Sequence, residues 1–116
     1  MRCTTIKQSE HLLELGLDSS TADFQYVNGE SENLHFNTEE HDEDYIPCWS
    51  TEALMKILAE KALEFDDDGS VSLHSWSGTW SLNMYDCPLE CTEDYKEPID
   101  ACYEMIVKVL LWKEKH

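Results

Sequence analysis

Basic side chains are the first thing that this sequence lacks. It has 8 lysines and arginines against 25 aspartates and glutamates in 116 residues, which gives a formal net charge of −17. Nucleic acids and anionic lipids are themselves negative, so this balance argues against direct binding to DNA, RNA or a membrane surface. An acidic surface of this kind either keeps a protein soluble or faces a basic partner.

Long apolar runs and glycine-rich motifs are also missing. The longest apolar run, residues 109–112, is far too short to span a bilayer, and residues 1–3 lead into a polar segment without a signal peptide. No G-x-S-x-G sequence is present, and no glycine-rich loop precedes a helix. The sequence therefore predicts neither a serine hydrolase nor a phosphate-binding loop.

Cysteine is present in an odd number and at uneven spacings, at positions 3, 48, 87, 91 and 102. This pattern favours free thiols in a reducing cytosol over a disulfide framework, so a cytoplasmic location is expected. Cys87 and Cys91 form one close pair, but a structural zinc site needs two such pairs. We therefore expect no zinc.

Apolar side chains at helical spacing predict three helices. The first covers residues 5–15, and Gly16 supplies a left-handed cap. The central helix begins at Ser50 or Thr51, follows a loop over residues 45–49 in which Trp49 is expected to be core, and ends near residue 65. The third helix starts at Pro98, whose fixed φ suits the first helical position.

Two pairs of short strands are predicted between the helices. Residues 24–27 and 34–36 flank a turn region at residues 28–29, and residues 71–76 and 79–85 flank a two-residue turn at residues 77–78. In the second pair, Leu73 should face Leu82, which places the apolar side chains on one side and polar side chains plus Trp76 on the other.

These elements predict a single α+β domain over residues 1–116, in the order α-β-β-α-β-β-α. The most economical packing of three amphipathic helices and four half-apolar strands is helices layered on one four-stranded antiparallel sheet. The oligomeric state does not follow from the pattern.

Five short stretches spread over most of the chain carry a combined pattern. They are TIKQS at 5–9, LLELGL at 12–17, TAD at 21–23, IPCWS at 46–50 with AL at 53–54, and IDAC at 99–102 with MI at 105–106. This combination resembles a group of small uncharacterised proteins of gut anaerobes, their phages and mobile elements. Two positions depart from the group: Phe24 replaces a frequent methionine, and Ala59 replaces a proline that often ends the central helix. The resemblance implies a one-domain α+β protein of mobile-element origin and brings no activity, cofactor or catalytic residue.

A calcium loop is the most tempting local motif. Glu64, Asp66 and Asp68, followed by Gly69, match the first ligand positions of an EF-hand. However, Ser75 stands where the bidentate glutamate belongs, and the next stretch is a predicted strand. We interpret these residues as a solvated turn between a helix and a strand.

Catalytic chemistry finds no support in the sequence. Cys48 precedes a helix start, where the helix dipole would lower the pKa of a thiol, but its neighbours Pro47 and Trp49 favour a buried, inert side chain. Carboxylates are abundant, yet no pair stands out from an acidic surface as a general acid and base. The chain is therefore expected not to be an enzyme and to need no cofactor.

Two binding hypotheses remain. In the first, the protein is a small accessory or interaction domain whose acidity mainly confers solubility. In the second, it is an inhibitor that mimics nucleic acid and binds a basic host protein, because residues 39–70 hold eleven acids against two lysines. The candidate partner-binding residues are Asp42, Glu43, Asp44, Asp66, Asp67 and Asp68, with an exposed Trp76 as an anchor.

Overall fold

The first helix and its two ends follow directly from local sequence. A computed structural model describes residues 3–30, 32–37 and 45–116. Helix α1 spans Ile6–Glu14, and Thr5 and Gln8 form a reciprocal capping box at its start. At its end, Gly16 has a φ of +93°, and the Leu17 N–H donates back to the carbonyl of Leu12. This Schellman arrangement confirms the predicted cap at Gly16 and folds the buried Leu17 onto the helix.

A small three-stranded sheet follows. Strands β1 (Phe24–Tyr26) and β2 (Leu34–Phe36) lie where the sequence predicts them and pair antiparallel. A third strand, β3 (Ile46–Cys48), pairs with the other edge of β1, so the order is β2-β1-β3. The prediction of a loop over residues 45–49 was wrong at this point. Pro47 has no N–H to donate, but β3 lies at the edge of the sheet, where such a residue is tolerated.

Helix α2 (Thr51–Phe65) has the predicted start and end. The Ser50 hydroxyl accepts a hydrogen bond from the Ala53 N–H at 3.1 Å. Its buried side chains follow the i, i+3, i+4 spacing of one helix face, and the helix continues through Ala59. The buried side chains are those of Leu54, Ile57, Leu58 and Ala62.

The predicted hairpin is confirmed in its register. Strands β4 (Ser70–Trp76) and β5 (Thr79–Tyr85) pair antiparallel with Leu73 opposite Leu82. They form a second sheet that has no ladder to the first, so the prediction of one four-stranded layer was wrong. Instead, the outer edge of β5 pairs with the segment at residues 92–95, where the backbone groups of Trp80 and Tyr95 exchange hydrogen bonds of 2.6 and 2.8 Å.

Helix α3 (Pro98–Lys115) closes the α+β fold in the predicted order, with β3 as an added strand. It packs against α2 and β5, and its stripe completes the main core. Cys3, Tyr26 and Cys48 form a smaller cluster beneath the three-stranded sheet. Within the described ranges, no helix is long and apolar enough to cross a membrane.

Trp49 joins these parts. Its side chain is fully buried, and its indole N–H donates to the hydroxyl of Thr21 at 2.9 Å. Its backbone exchanges hydrogen bonds with Thr4, from the Thr4 N–H to the Trp49 carbonyl and from the Trp49 N–H to the Thr4 hydroxyl. The chain before α1, the turn before β1 and the start of α2 therefore meet at one residue.

Thr92 provides a test of how residues 92–95 are held against β5. Its buried hydroxyl accepts the Leu82 N–H at 2.9 Å, and its own N–H donates to the Leu82 carbonyl. Replacing Thr92 by valine keeps the shape of the side chain but leaves the Leu82 N–H without its acceptor. We expect the free energy of unfolding in urea to fall by about 1–3 kcal/mol. Thr92→Ser keeps the hydroxyl, so its free energy of unfolding should fall by less than that of Thr92→Val. Equal losses in the two variants would contradict this account.

Candidate functional site

The outward face of the β4–β5 hairpin is the most distinctive surface of the molecule. Alternation along the strands sends Leu82 and Met84 into the core, while the neighbouring positions point away from it. Trp76 is 82% exposed, the highest value among the large apolar side chains that the structure describes. The outward face consists of Ser72, His74, Trp76, Thr79, Ser81, Asn83 and Tyr85.

Hydrogen bonds order this face at the end away from the turn. The Ser72 hydroxyl lies 2.8 Å from Nε2 of His74 and 3.1 Å from the phenol oxygen of Tyr85. His74 Nε2 is in turn 3.3 Å from the same phenol oxygen. Because each of these three side chains contacts the other two, less rotamer freedom is lost when a partner binds.

The turn itself presents Trp76. Ser77 and Gly78 both have positive φ, at +50° and +79°, as a type I′ turn requires. The Thr79 hydroxyl donates to the Trp76 carbonyl at 2.8 Å. The indole of Trp76 is therefore carried on a braced backbone at the tip of the hairpin.

The charge pattern around this face is unusual for the chain. Residues 70–85 contain no Asp, Glu, Lys or Arg, although the chain as a whole is 28% charged. Exposed acids border the uncharged stretch. Asp66–Asp68 and Asp86 flank the two strand ends opposite the turn, and Glu93 and Asp94 lie in the segment beside β5. An uncharged centre rich in aromatic residues, with a charged rim, is the usual organisation of a protein–protein interface.

The predicted binding residues are brought together only in part. Asp66, Asp67 and Asp68 are exposed, as predicted, in the turn between α2 and β4, where the Asp66 carboxylate accepts the Asp68 N–H at 2.8 Å. Trp76 lies at the other end of β4, about 20 Å away along an extended strand. Asp42, Glu43 and Asp44 lie outside the described residues, so their proximity to the other acids stays a prediction.

Sequence reasoning missed the rest of the face because it concentrated on the acids. His74 and Ser81 belong to the polar side of the predicted hairpin, to which only Trp76 brought a role, and Tyr85 was assigned to neither side. The signal that would have found them is the absence of charge over sixteen consecutive residues of a strongly acidic chain.

A groove lies between α1, α3 and the segment at residues 92–95. Its volume is 280 Å³, and side chains from all three elements line it. The Tyr95 hydroxyl donates to Oε1 of Glu104 at 2.7 Å, and this hydrogen bond, followed by burial, raises the pKa of Tyr95 to about 12. Burial also raises the pKa of Tyr103, whose hydroxyl lies 2.5 Å from Nδ1 of His11.

A wider cavity of 410 Å³ lies beside the start of α2. Asp23 reaches into it, but its carboxylate accepts hydrogen bonds from both the N–H and the hydroxyl of Ser50. Asp23 therefore anchors the first turn of α2. The remaining walls carry charges of both signs, from Glu52, Lys56 and Glu60.

The calcium-like loop is engaged in other contacts. The Glu64 carboxylate accepts from Lys113 at 2.8 Å and from Lys61 at 3.3 Å, and these lysines, Lys113 first, lower its pKa. The stretch after Gly69 is strand β4, as predicted. Across the residues that the structure describes, no three His, Cys, Asp or Glu side chains are grouped to hold a metal ion.

All five cysteines are free thiols in the structure. Cys48 is fully buried, and a hydrogen bond with Cys3, together with burial, raises the pKa of its thiol. Burial alone raises the pKa of Cys102 to about 12. The thiolate is the reactive form of cysteine, and a raised pKa makes it scarce at neutral pH. Neither environment therefore activates its thiol as a nucleophile.

No protein-family model, no curated protein and no solved structure matches this chain. The geometry of the described residues therefore carries the functional argument.

Thiol labelling tests this description of the cysteines. Cys91 is exposed and Cys87 half-buried, whereas Cys3, Cys48 and Cys102 are buried. We expect an alkylating reagent at neutral pH to modify Cys91 first and Cys87 next, and to reach the other three only when the chain unfolds. Mass spectrometry of peptides taken over time, with and without urea, measures the order. Labelling of Cys48 as fast as that of Cys91 would show that the packing around Trp49 is wrong.

Alkaline titration tests the Tyr95–Glu104 contact. Because the pKa of Tyr95 is raised in the folded chain from about 10 to about 12, its contribution to stability is complete below about pH 10 and is lost as the pH rises toward 12. Tyr95→Phe removes this dependence. The difference in unfolding free energy between the two proteins should therefore stay constant up to about pH 10 and then narrow. A difference that stays constant at higher pH would contradict the assignment.

Proposed function

We propose that this protein is a non-enzymatic interaction domain that binds a basic protein through the outward face of the β4–β5 hairpin. The observation that carries the proposal is the exposure of Trp76 within an uncharged stretch of a chain of net charge −17. Tryptophan and tyrosine are the residues most often found at the energetic centres of interfaces, and charged residues are depleted there.

The size of the face supports a partner that also contacts the acidic rim. Two strands of seven residues cover roughly 20 by 10 Å, or about 200 Å². A stable interface buries about 800 Å² on each partner. Any such partner must therefore extend over Asp66–Asp68, Asp86 or the acids at residues 93–94, and basic side chains are the complementary groups at those positions.

The hairpin also meets the requirements for an anchored interface. Its opposite side is held by the core through Leu82 and Met84, and its outer edge is held by residues 92–95. The face is thus presented by a rigid element, which lowers the entropic cost of binding.

A cytoplasmic location forms part of the proposal. The odd number and uneven spacing of the five cysteines support it, because they suit free thiols better than a disulfide framework. Free thiols are typical of a reducing compartment.

Imitation of nucleic acid is the second candidate, and it predicts the same class of partner. Three consecutive exposed carboxylates, Asp66–Asp68, favour it. The two candidate functions differ in whether the partner also binds nucleic acid at the same site. If the acids stand in for phosphates, duplex DNA or RNA should displace the chain from its partner, and Trp76 should contribute little.

The test begins with a photo-crosslinking residue placed at Ser81, in the middle of the face, in the full chain. A matched chain carries the same residue at Leu63, an exposed apolar position on α2. A partner of the proposed kind should crosslink from Ser81 and not from Leu63. Its capture should weaken as salt rises, because rim charges steer association.

Affinity measurements with the purified partner then show whether Trp76 anchors the interface. Trp76→Ala should weaken the affinity by about 2 kcal/mol or more, roughly thirtyfold, whereas Leu63→Ala should change it by less than about threefold. Asp67→Asn should lower the association rate and the salt dependence with little effect on dissociation. Equal losses from Trp76→Ala and Leu63→Ala, or none from either, would overturn the proposal.

A further inference from the structure

The groove between α1, α3 and residues 92–95 combines aromatic walls with negative charge. None of its lining residues belongs to the outward face of the hairpin, although the segment at residues 92–95 borders both. Its lining residues are Gln8, His11, Tyr95, Asp100, Tyr103, Glu104 and Val107. At 280 Å³, its volume is just below the range of drug-sized ligand pockets, so it suits a small molecule.

The aromatic walls are held in place before any ligand arrives. Tyr95 is fixed by its backbone hydrogen bonds to Trp80 and by its hydroxyl on Glu104. Tyr103 and His11 lie with their ring centroids 6.0 Å apart and their planes tilted by 59°, and they are joined through the phenol and Nδ1. Rings held in fixed positions need no further ordering before a cation packs against them.

Two carboxylates lie among these rings, and they are not equally engaged. Glu104 accepts from Tyr95, from the Glu93 N–H at 3.3 Å, and contacts Lys108 at 3.7 Å. Asp100 accepts from Nε2 of Gln8 at 2.9 Å through Oδ1. Its second oxygen, Oδ2, has neither a hydrogen bond nor an ion pair with any described residue, and the side chain is half-buried in the groove wall. Asp100 is therefore the carboxylate available to a ligand.

From this arrangement we infer that the groove binds a small organic cation, of the ammonium class, against Tyr95 and Tyr103 with Asp100 as its counter-charge. Aromatic faces beside a carboxylate are the usual recognition elements for amines and quaternary ammonium groups. The described residues hold no group of three metal-ligating side chains, so an inorganic cation would find at most two carboxylates, one of them already engaged, where it needs several ligands. The surrounding field of a chain at −17 also favours a positive ligand.

Choline and its neutral analogue, in which a tert-butyl group replaces the trimethylammonium group, separate charge recognition from simple apolar binding. We expect choline at millimolar concentration to shift the backbone amide signals of residues 8–11, 95 and 100–107 in a nuclear magnetic resonance titration of the full chain. The neutral analogue has the same shape and should bind at least about tenfold more weakly, as the loss of a cation–π contact and a counter-charge predicts.

Matched variants locate the charge that matters. Asp100→Asn keeps an oxygen that can accept from Gln8 and should weaken choline binding about fivefold, the expected effect of one unit charge near a cation in water. Glu114→Gln removes the same charge from the far end of α3, about 21 Å along the helix, and should leave the affinity unchanged. Thermal unfolding of both variants checks that each remains folded.

Three results would overturn the inference. They are no amide shifts at millimolar choline, equal binding of the neutral analogue, and equal weakening by Asp100→Asn and Glu114→Gln. Trp76 lies outside the groove, so the Trp76→Ala variant should bind choline as the unchanged protein does. The groove and the partner-binding proposal can therefore fail independently.

Discussion

The burial of Trp49 is the constraint on which the arrangement of this chain depends. A large indole can be buried at low cost only when its N–H has a partner, and Thr21 supplies the acceptor. Around this ring, the backbone of Thr4 pairs with that of Trp49, and Asp23 fixes the cap of α2 through Ser50. The N-terminal segment, the three-stranded sheet and the central helix are thus registered against one another by a few hydrogen bonds at one place.

The hairpin is held by a different kind of contact. It shares no ladder with the three-stranded sheet, and its position depends on the apolar sides of α2 and α3, against which β4 and β5 pack. Because only one side of a two-stranded sheet is covered in this way, the other side stays in solvent. That uncovered side is where the uncharged residues and Trp76 lie, so the separation into two sheets creates the candidate interface.

The distribution of charge differs between the helices and the hairpin. The helices carry acids on their outer surfaces, and among the described residues two of these are paired with lysines, Glu64 with Lys61 and Lys113 and Glu104 with Lys108. The hairpin carries none. A partner that approaches the acidic rim is steered by long-range attraction and then meets a neutral, ordered surface that costs little to desolvate. The groove at Asp100 and Tyr103 lies elsewhere and suits a small ligand.

Much of the fold could be predicted from local sequence. The glycine cap after α1, the proline at the start of α3 and the hairpin register were all predicted correctly, because each depends on residues a few positions apart. Strand β3 was missed for the same reason. Pro47 lacks an N–H and indicates a loop, and only the neighbouring β1 makes an edge strand of it.

The sequence by itself determined the helices, the alternation of the hairpin and the acidity of the surface, since these follow from short-range spacing and composition. Only the tertiary structure decided which strands share a sheet, and only it brought His11 beside Tyr103 and Gln8 beside Asp100, each pair separated by 92 positions. Contacts across such distances depend on how the helices pack, and packing rests on the combined fit of many apolar side chains. No local pattern encodes that fit.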